Sequence, residues 1–153
     1  MHLAQVNVAH PRHPLDDPRM AGFVNNLDRV NAAAERSPGF VWRLVGEDGD
    51  ATDLRLDGDP DAIVNMSVWE TAEQLEHFVW NTVHKQIYRR KGEWFSASGR
   101  PYFVMWPVAV GHRPDLVEAA ERLEHFTRHG SSDRAFGWEG LPQLKRWMEE
   151  RCA

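Results

Sequence analysis

Cysteine is nearly missing from this 153-residue chain, which carries only Cys152. No internal disulfide is possible, so the fold depends on its core, and a reducing cytoplasm is the natural compartment. No apolar run is long enough to span a bilayer. Met1 is followed at once by strand-like sequence rather than by a basic-then-apolar leader. A cytoplasmic protein with no membrane partner is therefore expected. Excess positive charge is lacking too: the formal net charge is −5 with both signs interspersed, which gives nucleic acid no basic face. There is no G-x-S-x-G, no glycine-rich phosphate loop, no C-x-x-C and no zincin motif, so hydrolase, nucleotide-binding and redox-thiol functions have no support. Solenoid-period repeats and low-complexity segments are absent as well.

What is present is an ordinary globular mixture, 42% apolar and 27% charged, with an unusual seven tryptophans. Trp supplies large apolar area with one donor, which suits a tight interface or an aromatic-lined pocket. The length suits a single domain over 1–153, with a core over 2–110 and a C-terminal helical extension over 111–153.

The stretch from Ile63 to Phe95 organises the rest. Ile63, Asn65, Ser67 and Trp69 alternate with Val64, Met66 and Val68, which predicts a strand with one apolar and one polar-aromatic face. Glu70-Thr71 then turns into a long amphipathic helix, with Thr71 as N-cap and Gln74 completing a capping box. Upstream, His2 to Ala9 alternates in the same way and places Gln5 and Asn7 on its polar face. The two prolines of His10–Pro14 end regular structure, a first helix is expected from about Pro18 to Arg36, and Phe40–Val45 reads as a second strand. The acidic Gly46–Pro60 stretch lacks the EF-hand pattern and reads as a solvated hairpin loop. Tyr102–Val108 is a last strand, and Asp115–His129 a helix capped by Asp115 and stopped by Gly130. A short amphipathic piece follows over Leu141–Glu150.

The order β-α-β-β-α-β predicts an α+β, ferredoxin-like fold, a four-stranded antiparallel sheet with both crossover helices on one face. Its second face would be left bare, and a second copy's sheet is the simplest cover, so a homodimer is expected.

Two features point to a ligand. Gln5, Asn7, Asn65 and Ser67 put three amides and a hydroxyl on one sheet face, a poor oily core because each unpaired buried amide costs about 1–3 kcal/mol. Water, a ligand or helix side chains must meet them, and a satisfied amide network around ordered water is the alternative to a pocket. On the long helix, Leu75, Phe78, Val79, Val83 and Ile87 make an apolar stripe, while His77, Trp80, His84, Tyr88 and Phe95 form a second one. His84 suits a general base, an axial haem ligand or a structural hydrogen bond. Among eight histidines only His125 and His129 have i, i+4 spacing, with no acidic third ligand, so no metal site is expected.

The runs SVWET, FVWNTVHKQIYRRKGEWF, GHRPDLVEAAERL and GSSDRAF resemble an uncharacterised bacterial family, a domain of unknown function, over about Leu3 to Phe136. That family is similar to the dimeric α/β-barrel superfamily, which includes antibiotic-biosynthesis and haem-degrading monooxygenases. The resemblance implies two sheets face to face in a dimer, with a pocket in each subunit between sheet and helices. It also implies a cofactor-independent monooxygenase or isomerase acting on a small hydrophobic, aromatic or polyketide-like molecule. In such enzymes an Asn and a Trp stand four apart on this strand, as Asn65 and Trp69 do. The implied roles are Asn65 and Trp69 as catalytic residues with His84 moving a proton, and Gln5, Asn7, Ser67, Trp80 and Tyr88 as ligand-binding residues. The haem-degrading relatives imply the alternative, a haem-dependent enzyme built on Asn7, Trp80 and His84, although Trp80 and His84 lie closer together here than in those relatives. A non-catalytic ligand-binding or interaction domain is the third possibility.

Overall fold

A computed structural model describes residues 1–47, 49–56, 58–81, 85–86, 89–96 and 102–141. Among the described residues there are five strands: β1 (His2–Pro11), β2 (Phe40–Arg43), β3 (Ile63–Trp69), β4 (Phe95–Ser96) and β5 (Phe103–Val108). The helices are α1 (Ala21–Val24), α2 (Leu27–Arg36), α3 (Ala72–Asn81), α4 (Lys91–Trp94) and α5 (Leu116–His129), with 3-10 turns at Pro18–Met20 and Trp138–Gly140. The strands line up β2-β3-β1-β5, every neighbour antiparallel, and β4 continues the β5 edge of β1. This is the ferredoxin-like α+β plan: β1 and β2 run parallel with β3 inserted between them.

The local signals act as the residues dictate. Gln74 N–H donates to Thr71 Oγ1 at 3.2 Å and the Thr71 hydroxyl reaches Gln74 Oε1 at 3.0 Å, so α3 starts where the capping pair stands. Gly39 precedes β2 with φ 85°, and a Cβ there would run into Gln74. Its carbonyl accepts from Glu70 N–H at 2.7 Å, tying the start of β2 to the end of β3. Asp115 accepts from Glu118 N–H at 2.8 Å, and Gly130, at φ 71°, ends α5 by donating to the Phe126 carbonyl. Asp115→Ala is expected to cost about 1 kcal/mol, read as a lower urea midpoint with unchanged m-value.

Several boundaries differ from expectation. The first helix is broken into a 3-10 turn, α1 and α2; Asn26 turns its amide onto the Gly22 carbonyl at 2.7 Å between the last two. β1 runs on to Pro11, where a missing N–H costs little at a strand end, and Phe95 belongs to β4 rather than to the helix, pairing with Pro11. The Gly46–Pro60 stretch is not simply a solvated loop. Leu54 and Leu56 pack into the core, Leu56 only 7% exposed.

The sheet has two different faces. On one, Leu3, Trp69 and Met105 meet α2 through Ala34 and α3 through Leu75, Phe78 and Val79, with both crossover helices on this side as expected. On the other, Ala4, Val6, Val64, Met66, Val104 and Trp106 are all 4% exposed or less. The premise that this second face is bare is corrected: α5 lies on it through Leu116, Ala119, Ala120, Leu123 and Phe126, and Leu54 and Leu56 fill its flank. The chain covers itself where the sequence argument supplied a second copy. Among the described residues, no helix is long and apolar enough to cross a membrane.

Candidate functional site

Residues opposed across an antiparallel pair share a face, so register assembles the site. Gln5 faces Ser67, Asn7 faces Asn65 and Leu3 faces Trp69; on the other flank of β1, Asn7 faces Phe103 and Gln5 faces Met105. β2 adds Arg43 beside Ser67. The polar band predicted from strand alternation is therefore continuous across β1 and β3 on the helix side of the sheet, with Arg43 of β2 at its flank.

Within the band, side chains form a chain of hydrogen bonds. Trp69 Nε1–H donates to Ser67 Oγ at 2.9 Å. The Gln5 Nε2 amide donates to the same Ser67 oxygen at 2.8 Å and to Asn65 Oδ1 at 2.9 Å. Trp69, Gln5 and Ser67 are 0%, 4% and 7% exposed, whereas Asn65 is exposed and Asn7 half-buried. The chain thus begins in the core at Trp69 and surfaces at Asn65.

Several hydrogen-bonding capacities are left over. Gln5 Oε1 is buried with no partner among the described residues. Reversing that amide would put an oxygen toward Ser67 and orphan the amino group instead, so either orientation leaves one end unpaired. Ser67 Oγ accepts twice, which leaves its own hydrogen to give, and Asn65 retains its amide N–H donors. A buried orphan costs about 1–3 kcal/mol unless something polar meets it.

Apolar walls flank the band. Met20, Phe23, Ile63 and Trp94 form one group, with Phe95 edge-on to Phe23 at 4.9 Å. The other is aromatic: Phe103, beside Asn7, stacks on Trp138 at 5.1 Å with a 13° interplanar angle, and Trp80 leans on Trp138 at 6.3 Å. Arg43 is held away from the band by Glu35 at 2.7 Å and the Gly49 carbonyl at 3.0 Å. What remains is a neutral polar floor between hydrophobic sides, an arrangement suited to a small ligand that carries a few polar groups.

Of the residues singled out in the sequence, Gln5, Asn65, Ser67 and Trp69 are directly joined, and Asn7 adjoins them in register. Trp80 packs against the helix-side core and leans on Trp138, which stacks on Phe103. His84 and Tyr88 lie outside the described residues. Trp69 is fully buried: its indole N–H is engaged by Ser67 and its ring stacks on Phe78 at 5.2 Å. Phe103 and Trp138 were not singled out. Phe103 was readable only once the β1–β5 register was known, and Trp138 gave no local signal.

The family model described as Domain of unknown function (DUF3291) matches residues 2–152. The chain belongs to the DUF3291 family. No curated protein matches it. Solved structures similar to this DUF3291 chain include SnoaB, a cofactor-independent oxygenase from Streptomyces nogalater, at 16% identity and TM-score 0.49, covering 71% of this chain and 93% of that one. Rv0793 from Mycobacterium tuberculosis matches at 16% identity and TM-score 0.49, over 71% and 96% of the two chains. NE2512, a protein of unknown function from Nitrosomonas europaea, matches at 10% identity and TM-score 0.49, over 74% and 95%.

The donor set of the DUF3291 chain bears on haem and metals. The described part of the band presents amides, a hydroxyl and indoles, none of which is a strong axial ligand for iron. His84, the residue expected as an axial ligand, lies outside the described residues. On α5 the His125 and His129 rings do come together, centroids 4.6 Å apart. Desolvation pushes the His125 pKa below its usual value, with His129, Arg134 and Arg122 adding to the shift and Asp133 opposing it. Among the described residues no group of three or more His, Cys, Asp or Glu is placed to hold a metal ion.

Proposed function

We propose that this protein binds a small hydrophobic, aromatic or polyketide-like molecule against the Asn7–Asn65 band and oxidises or isomerises it without a bound cofactor, in the cytoplasm. The observation that carries this reading is the hydrogen-bonded chain from buried Trp69 through Ser67 and Gln5 to exposed Asn65, which fixes one amide at the solvent end of a floor with unspent donors and acceptors. With its Oδ1 held by Gln5, the Asn65 amide N–H is free to donate to a phenolate or enolate oxygen and stabilise charge developing there. Asn7 assists beside it. Trp69 orients Asn65 through Ser67 and Gln5, Trp80 and Tyr88 complete the binding set, and His84 takes or gives the proton. In the oxidation, a substrate methylene supplies the electrons that reduce dioxygen. Both of its C–H bonds break and a carbonyl forms from one oxygen atom, while the other oxygen atom leaves with the two hydrogens as water. The Asn65–Trp69 spacing that resembles cofactor-independent aromatic monooxygenases supports the same reading.

The test uses 1,8-dihydroxyanthrone as probe, with oxygen uptake read above the uncatalysed rate. Wild type is expected to accelerate uptake. Asn65→Ala is expected to lose about tenfold or more in kcat/KM. Its unfolding free energy should fall by only about 1 kcal/mol, the cost of one Gln5 contact. An Asn65→Ala variant with undiminished rate would overturn the role of the amide. Binding of the probe without uptake would make the protein a non-catalytic binding domain.

A further inference from the structure

The segment after α5 does more than end the chain. Ala135 packs in the core beneath α5, whereas the next residue, Phe136, packs on the opposite face with Leu3, Trp69 and Met105. Ala135 and Phe136 point to opposite faces as neighbours in an extended segment do, and that segment runs along the β5 edge between α5 and the 3-10 turn at Trp138–Gly140. It is pinned there by a pair of backbone hydrogen bonds, Met105 N–H to the Phe136 carbonyl at 2.8 Å and Phe136 N–H to the Met105 carbonyl at 2.9 Å. Upstream, Arg122 Nη1 donates to the Arg134 carbonyl at 2.9 Å, fixing the strap to α5. Two residues past the bridge, the 3-10 turn at Trp138–Gly140 lays the Trp138 indole flat on Phe103.

We infer that Trp138 is a ligand-binding and specificity-determining residue: the strap delivers it along the sheet edge to form a stacking subsite for a planar aromatic ring, beside the Asn7–Asn65 floor. This rests on the cleft proposed above and names what its second wall selects. Phe103 is the link, because it faces Asn7 across β1 and β5 while its ring stacks parallel to Trp138. Both residues are half-buried, so part of each side chain is accessible, and Phe103 adjoins Asn7 in register. A planar ring laid along that wall extends the stack and places its hydroxyl or carbonyl substituents over Asn7 and Asn65. A puckered saturated ring of equal size gains the apolar area but not the offset-stacked contact. Specificity for flat over puckered rings would come from the C-terminal extension, and polar-group recognition from the ferredoxin-like core.

The experiment is calorimetric titration of the full chain with 1,8-dihydroxyanthraquinone, which is planar and stable in air. Trp138→Phe, which keeps a ring, is expected to stay within about threefold of wild-type Kd, and Trp138→Leu, which keeps bulk without one, to weaken about tenfold. Thermal midpoints are measured alongside, so that a folding defect in the Leu variant is read against the Phe variant. Equal affinity in Trp138→Leu and wild type would overturn the inference, as would equal losses in both variants. If wild type binds and Asn65→Ala weakens while Trp138→Leu does not, the cleft stands and only the stacking subsite falls. If wild type does not bind, the cleft reading fails and the subsite fails with it.

Discussion

Trp69→Ala is expected to destabilise the protein by about 3–5 kcal/mol, a large share of the stability of a small protein. The indole is 0% exposed, stacked on Phe78 at 5.2 Å and edge-on to Phe40 at 5.6 Å, so its removal opens a cavity where β2, β3 and α3 meet. The loss should appear as a lower urea midpoint by circular dichroism. Trp69→Phe separates packing from polarity. It keeps a ring in the stack but removes the N–H that Ser67 accepts, for an expected cost of about 1–2 kcal/mol. Because Gln5 still donates to Ser67, the Asn65 end of the chain should hold its place, and probe affinity is expected to stay within about threefold of wild type. A Phe variant that binds normally yet loses oxygen uptake would instead show the indole N–H acting on the reacting atoms.

The same residue shows how far the sequence could be read. Alternation along Ile63–Trp69 placed Asn65, Ser67 and Trp69 on one face, because side-chain period is a local property of a strand. It could not say which of them reaches solvent. Trp69 is buried because Leu75, Phe78 and Val79 of α3 seat over its end of the band, whereas Asn65, four residues back, is exposed. Caps were legible for the same local reason: Thr71, Asp115 and Gly130 act within one helical turn. Tertiary placement was not. Leu54 and Leu56 sit in an acidic, glycine-bearing stretch whose composition says loop, yet both are drawn under the sheet by area that solvent would otherwise wet. Trp138 is the extreme case, since its position depends on a bridge between Met105 and Phe136, residues with no local relation.

Ala119→Glu is expected to be as damaging as the loss of Trp69, for a different reason. Ala119 is 0% exposed at the centre of the contact between α5 and the sheet, flanked by Leu116, Leu123 and Phe126. A carboxylate there is forced into the apolar layer or must push α5 aside to reach Arg122, three residues on, and burying a charge among apolar side chains costs several kcal/mol. Glu121→Ala, on the exposed side of the same helix, should stay within about 0.5 kcal/mol of wild type. Lifting α5 would bare Val6, Val64 and Trp106, a contiguous apolar sheet face of the kind that drives association. Sedimentation of Ala119→Glu is therefore expected to show species larger than wild type under the same conditions, together with a lower urea midpoint. If the larger species is a discrete dimer with an intact sheet, then α5 occupies a surface that can also pair two sheets. Polydisperse aggregate would mean that the face has become suited only to its own helix. A wild-type homodimer must in either case form through some other surface, because the face beneath α5 is already filled by the chain itself.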